Sequence, residues 1–170
     1  HRYVTVLFSD LSGYTALSEQ IDPEDLKELM DRIFGQATRI ISRYGGMIEK
    51  FIGDAVVALF GVTQIHEDDA IRAIHAAREL HRFVAGAAVP AGVENGLEMH
   101  TGIHAGNILA GSPLSAFHHG ALGTPINIAA RLSALAEPGE ILIGEAVLFE
   151  AERHFSLECL GDKPLKGVKE

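Results

Sequence analysis

A single cysteine, Cys159, rules out an intrachain disulfide and any cysteine-based zinc motif. Basic residues are also scarce: 14 Lys and Arg stand against 23 Asp and Glu, a formal net charge of −9. No basic face can easily outweigh that charge, so nucleic acid is not expected as a partner. Single nucleotides stay open, because a few local groups and a metal suffice to meet a triphosphate. Apolar runs fall short of the ~18 residues a membrane-spanning helix requires, and nothing at the start reads as a signal peptide. No membrane contact is therefore expected of this domain. The phosphate-binding pattern GxxxxGK[ST] is missing, as are internal repeats and low-complexity segments.

What is present suits one globular domain spanning residues 1–170, with 47% hydrophobic and 22% charged residues. The chain begins almost directly with the strand-like "RYVTVLF" and stops at "LKGVKE". It is read as a domain cut from a longer protein. Tyr3 to Ser9 is rich in β-branched and aromatic residues and predicts a buried strand, running into the turn-forming "DLSGYT". The clearest helix follows, with Asp22 as N-cap, Pro23 as first helical residue and Gly45 as stop. Leu26, Leu29, Met30, Ile33, Phe34, Ala37, Ile40, Ile41 and Tyr44 share its apolar face.

Met47 to Ile52 and Ala55 to Phe60 predict a hairpin turning at Gly53-Asp54, with glycine supplying a positive φ. A helix is expected at about 67–85, a pair of strands in "LEMHTGIHAGNILAG", and a third helix at 126–136 capped by Thr124-Pro125. A short strand in "EILIG", a helix near 145–152 and a strand around 155–160 complete the reading. Strands alternating with helices and hairpins indicate an α/β (α+β) fold, a sheet covered by helices rather than a uniform doubly wound one.

Asp10 ends the first strand and Asp54 sits at the hairpin turn, so both can lie at one end of neighbouring strands. Two close carboxylates repel unless a cation holds them, and hard oxygen donors favour magnesium or manganese. Each residue also has a plainer use, Asp10 capping a turn and Asp54 serving the hairpin. Gly13 allows close approach of the backbone to a ligand, and the helix start after it presents N–H groups suited to phosphate. Asn127 and Arg131, four apart, share a helix face beside an apolar stripe of Ile128, Leu132 and Leu135. Arginine can neutralise developing phosphoryl charge and asparagine can orient a sugar oxygen, although an ordinary surface helix has the same pattern. Lys50 either snorkels at a strand edge or donates to a ring nitrogen of a base.

Five segments in order, "VLFSDLSGYTALSE", "GGMIEKFIGDAVVALFG", "HTGIHAGNILAG", "GTPINIAARLSALAEPGEILI" and "PLKG", resemble the catalytic domain of class III nucleotidyl cyclases. The resemblance runs from Val4 to Lys166 and is nearest to bacterial adenylate cyclase domains of multidomain proteins. It implies a ferredoxin-like βαββαβ core with added strands and helices, palm-like in architecture, and a head-to-tail homodimer binding ATP between subunits. By the same resemblance, Asp10 and Asp54, with the backbone carbonyl of Leu11, hold two divalent cations (Mg or Mn). Gly13, Tyr14 and Thr15 contact the β- and γ-phosphates. The second subunit brings Lys50 to the base, Asn127 to the ribose, Arg131 to the transition state and Lys166 to the terminal phosphate. The implied reaction converts ATP to cyclic AMP and pyrophosphate, and the nucleotide requirement implies a cytoplasmic location.

One departure from the family pattern stands at Gly120, where an Asp or Thr commonly reads the adenine amino group. Glycine offers no side-chain acceptor, so ATP is expected to be preferred with weaker discrimination against GTP than usual. Gly120 also leaves room for a catalytically weak or silent nucleotide-binding or dimerisation module. A palm-type cyclase that joins two GTP molecules would need a GG[DE]EF signature, and "FIGDAV" is only a distant echo of one.

Overall fold

The computed structural model describes residues 2–108, 125–158 and 160. Five strands and five helices follow in the order β1 (Arg2–Leu11), α1 (Tyr14–Gln20), α2 (Pro23–Arg43), β2 (Gly46–Ile52), β3 (Ala55–Phe60), α3 (Asp69–Ala85), β4 (Met99–Ile108), α4 (Pro125–Leu135), β5 (Ile141–Ile143) and α5 (Glu145–Ala151). The sheet order is β2-β3-β1-β4-β5, antiparallel throughout except for the parallel β4–β5 pair. The first four strands with α2 and α3 as crossovers are the expected ferredoxin-like βαββαβ core; β5, α4 and α5 are additions to it.

Alternation along the strands sorts the core into two layers. Leu7, Leu11, Val56, Ala58, Phe60, Met99 and Ile103 face α2, α3 and α5, while Val4, Val6, Val57, Leu59 and Ile108 face α4. Because β3 is covered on both faces, all six of its residues are buried, which explains why "AVVALF" shows no polar alternation. The helix α2 starts as its sequence predicts: the Asp22 carboxylate accepts from the Glu24 N–H at 2.8 Å, ahead of Pro23. At the hairpin tip Gly53 takes φ 58°, and Asp54 avoids the left-handed region.

Several expectations need correction. Among its described residues "LEMHTGIHAGNILAG" has one strand where two were expected: Met99–Ile108, paired with all ten residues of β1. Its glycines mark close packing rather than a break. A Cβ on Gly102 would overlap the α4 backbone at Ala129 and Ser133, and one on Gly106 would come within 2.7 Å of Pro125. Residues 155–158 and 160 form no strand; the Phe155 ring instead meets His75 edge-on at 4.9 Å. The helix expected from residue 67 begins at Asp69, whose carboxylate accepts the His66 N–H at 3.0 Å and holds the preceding residues in a turn. In α4 the residues buried against the sheet are Ile126, Ala129 and Ser133, whereas Ile128 and Leu132 are half-buried and Leu135 is 36% exposed.

Gly102→Ala is expected to cost about 1–3 kcal/mol, the usual range for overpacking, because helix backbone rather than a flexible side chain must move. Thermal unfolding of the variant checks this, and an unchanged midpoint would contradict the close contact.

Candidate active site

The two aspartates meet through strand register. Ser9 of β1 pairs with Val56 of β3, so Asp54, two residues before Val56, comes level with the end of β1 beside Asp10. Burial, then a hydrogen bond with Asp54, then the charge of Asp54, push the Asp10 carboxyl up from 3.8 to about 7. The Leu11 N–H, 3.2 Å from Asp10 Oδ1, pulls the other way and is outweighed. The pair therefore retains a proton near neutral pH unless a cation takes its place. That donor set fits a hard divalent ion. Among the described residues no group of three or more His, Cys, Asp and Glu side chains gathers to hold a metal. Further oxygen donors must then come from backbone, as the Leu11 carbonyl would supply, from water or from a ligand.

A stability effect follows with a definite sign. A carboxyl raised in the folded state lends stability that is complete below its unfolded value and lost as pH rises through about 7. Metal-free protein should thus lose stability between pH 5 and pH 8 relative to Asp10→Asn, in which this contribution is absent. Magnesium should restore the pH 8 loss in the parent chain and not in the variant. Thermal midpoints of both proteins, with chelator or with magnesium, measure it; parallel pH profiles would remove the carboxylate repulsion.

The turn after β1 is held from the far side, the Ser12 N–H donating to the Glu98 carbonyl at 2.8 Å. Gly13, at φ 73°, is the N-cap of α1. Tyr14 packs on the core and Thr15 is exposed. Ser12 and Gly13 line an open cleft of about 510 Å³, whose opposite wall is the 92–97 loop. Another cleft, about 360 Å³, lies between the start of β1 and α3 and contains none of the predicted site residues.

Lys50 sits in β2 opposite Val57, and Val57 lies opposite Phe8. Two strand spacings separate it from β1, roughly 10 Å. Asn127 and Arg131 are both half-buried on α4. Lys166 and Gly120 lie outside the described residues.

Sequence reasoning missed a set of histidines and hydroxyls around the carboxylates. Asp10 pairs across β4 with His100, on the α4 side of the sheet. His100 Nδ1 donates to the Ser133 carbonyl at 2.6 Å, and Ser133 Oγ donates to the His100 carbonyl at 3.2 Å. The strand bearing Asp10 is thereby tied, through β4, to the helix of Asn127 and Arg131. On the other face buried Ser9 and Thr101 and half-buried His81 form a hydrogen-bonded chain, Ser9 Oγ to Thr101 Oγ1 at 2.7 Å and Thr101 Oγ1 to His81 Nε2 at 2.7 Å. Burial lowers His81 to about 4, so its imidazole is neutral. These residues come from β1, α3, β4 and α4, and no sequence spacing links positions so far apart.

The whole chain, residues 1–170, matches the family model described as the adenylate and guanylate cyclase catalytic domain. Among curated proteins it is 30% identical over 178 residues to an adenylate cyclase of Anabaena cylindrica, a match covering 97% of this chain and 34% of that protein. The chain spans about a third or less of the length of the first curated relatives it matches. Among solved structures it is similar to the adenylyl cyclase CyaB from P. aeruginosa, with TM-score 0.80, 27% identity, and 99% and 90% of the two chains covered. It is also similar to the guanylyl cyclase Cya2, with TM-score 0.70, 30% identity, and 99% and 88% covered.

Proposed function

The chain belongs to the adenylate and guanylate cyclase catalytic domain family, and from that membership we propose that it is an adenylate cyclase. It converts ATP to 3′,5′-cyclic AMP and pyrophosphate at sites shared by two copies of the chain in a head-to-tail homodimer. The observation that carries this reading is the Asp10–Asp54 pair, two carboxylates pressed together where only a cation or a proton makes them compatible. Lys50 favours ATP over GTP, because an ammonium only donates and adenine N1 only accepts.

Asp10, Asp54 and the Leu11 carbonyl hold two divalent cations, magnesium or manganese. When bound, these ions supply Lewis-acid chemistry, lowering the pKa of the ribose 3′-hydroxyl and countering the charge of the triphosphate. The backbone of Gly13, Tyr14 and Thr15 cradles the β- and γ-phosphates. From the second copy Lys50 orients the base, Asn127 the ribose and Lys166 the terminal phosphate. The 3′-oxygen loses its proton to water and attacks the α-phosphorus in line; the bond to the bridging oxygen breaks and pyrophosphate leaves. Arg131 donates to the phosphoryl oxygens as their charge grows.

ATP as substrate makes the proposed location cytoplasmic. Among the described residues no helix is long and apolar enough to cross a membrane.

Purified protein incubated with ATP and manganese should yield cyclic AMP and pyrophosphate in equal amounts. kcat/KM should be higher for ATP than for GTP by less than about 10⁴, the ratio a fully hydrogen-bonding site can reach. Absence of product from either nucleotide, at concentrations where the dimer is demonstrated, would favour a silent binding module instead.

A further inference from the structure

Resting on the base-reading role given to Lys50, we propose that Glu49 is a positioning residue that sets nucleotide specificity: its buried carboxylate fixes the Lys50 ammonium so that it meets adenine and not guanine. The backbone supplies the first observation. β2 slips in register against β3 between Ile48, opposite Ala58, and Lys50, opposite Val57. Glu49 is the extra residue of this bulge. Ile48 packs in the α2 layer, and Phe51 stacks on Phe34 of α2 at 4.3 Å. Three residues apart, they share a face only because the bulge lies between them. Glu49 and Lys50 are thereby left side by side, Lys50 opposite a residue of the α4 layer.

The second observation is electrostatic. The Glu49 side chain is only 3% exposed and that of Lys50 18%, with Glu49 Oε2 3.6 Å from Lys50 Nζ. Among the described residues this oxygen makes no hydrogen bond. Taking a carboxylate out of water carries a desolvation cost that a partner charge offsets in full only when the geometry is good and the remaining lone pairs are hydrogen-bonded. Here the ammonium stands 3.6 Å away from an oxygen with no hydrogen bond among the described residues. Such a group at a bulge beside the proposed base-reading lysine contributes more to the site than to the fold.

The chemistry of the bases gives the carboxylate its use. Adenine presents an acceptor at N1, whereas guanine presents a donor there and an acceptor at O6. A mobile ammonium could move from the N1 position to O6 and serve both bases. Held by Glu49, it remains at the position that suits adenine and opposes the guanine N1–H. Discrimination then resides in Lys50 and its neighbour, without a side chain at Gly120.

The test compares kcat/KM for ATP and GTP in the parent dimer and in Glu49→Gln, Lys50→Ala and the double variant, with thermal midpoints alongside. Glu49→Gln keeps the shape and removes the charge. It should lower the ATP-to-GTP ratio about tenfold, with the loss on ATP and GTP unchanged or improved, and the thermal midpoint shows that the variant is folded under assay. The double variant should fall no further than Lys50→Ala. A Gln variant that changes both nucleotides by one factor, or neither, while Lys50→Ala alters the ratio, overturns the role of Glu49 alone. A Lys50→Ala ratio equal to the parent's overturns base reading by Lys50 and this proposal with it. If the Gln variant does not fold, Glu49→Asp replaces it: retracting the charge by one methylene must move the ratio in the same direction.

Discussion

Arg131→Ala should lower kcat by about 10²–10³ while KM for ATP changes less than about tenfold. Those bounds are typical of a donor that strengthens its hold only as charge develops in the transition state. Arg131 is suited to this because it is half-buried on α4, where water screens its charge less than on an open surface. Arg131→Lys should recover only part of the loss, since a single ammonium cannot reproduce the planar fork of donors. Steady-state kinetics with ATP and manganese separate the two constants. A large rise in KM with kcat unchanged would place the arginine in ground-state binding and contradict the mechanism.

Asp54→Ala and Arg131→Ala, each close to inactive alone, should regain activity when mixed. In a head-to-tail dimer one site uses the carboxylates of one copy and the α4 residues of the other. A mixed dimer of these variants has both defects in one site and none in the other. Random exchange makes about half the dimers mixed, each with one good site, so recovery should approach about a quarter of the parent activity. The measurement is cyclic AMP formation against mixing ratio, with mixed dimers demonstrated by differently tagged copies. No recovery despite mixed dimers would mean that each chain builds its site alone. The hairpin explains why the test is sharp: Asp54 is at its tip and Lys50 four residues before it, in the strand that pairs with β3. One supersecondary element would thus serve two sites at once.

Much of the fold was legible because its signals are local. Asp22-Pro23 starts α2 through a carboxylate and a ring that act within one turn. Gly53 turns the hairpin through its own φ. The cyclase motifs fixed the family and the βαββαβ core, and they marked Asp10 and Asp54 as a pair. β4 was misread because a glycine looks the same in sequence whether it interrupts a strand or makes room for a helix; only the overlap of a Cβ with α4 distinguishes the two. Ile128, Leu132 and Leu135 were read as an apolar stripe on periodicity, which locates an apolar face but not what covers it.

The amino-acid order by itself determined most of the elements and the family, and it supplied the residues proposed to meet metal, phosphate and base. Tertiary structure alone decided that Asp10 and Asp54, 44 positions apart, would come within hydrogen-bonding reach, that His100 would stand across from Asp10 and hold α4, and that a bulge would set a buried Glu49 against Lys50. The reason is physical. Caps, turns and periodicity act over a few residues along the chain, whereas repulsion, desolvation and cross-strand bonding depend on register, and register is fixed only when the whole sheet pairs and its helices close over it.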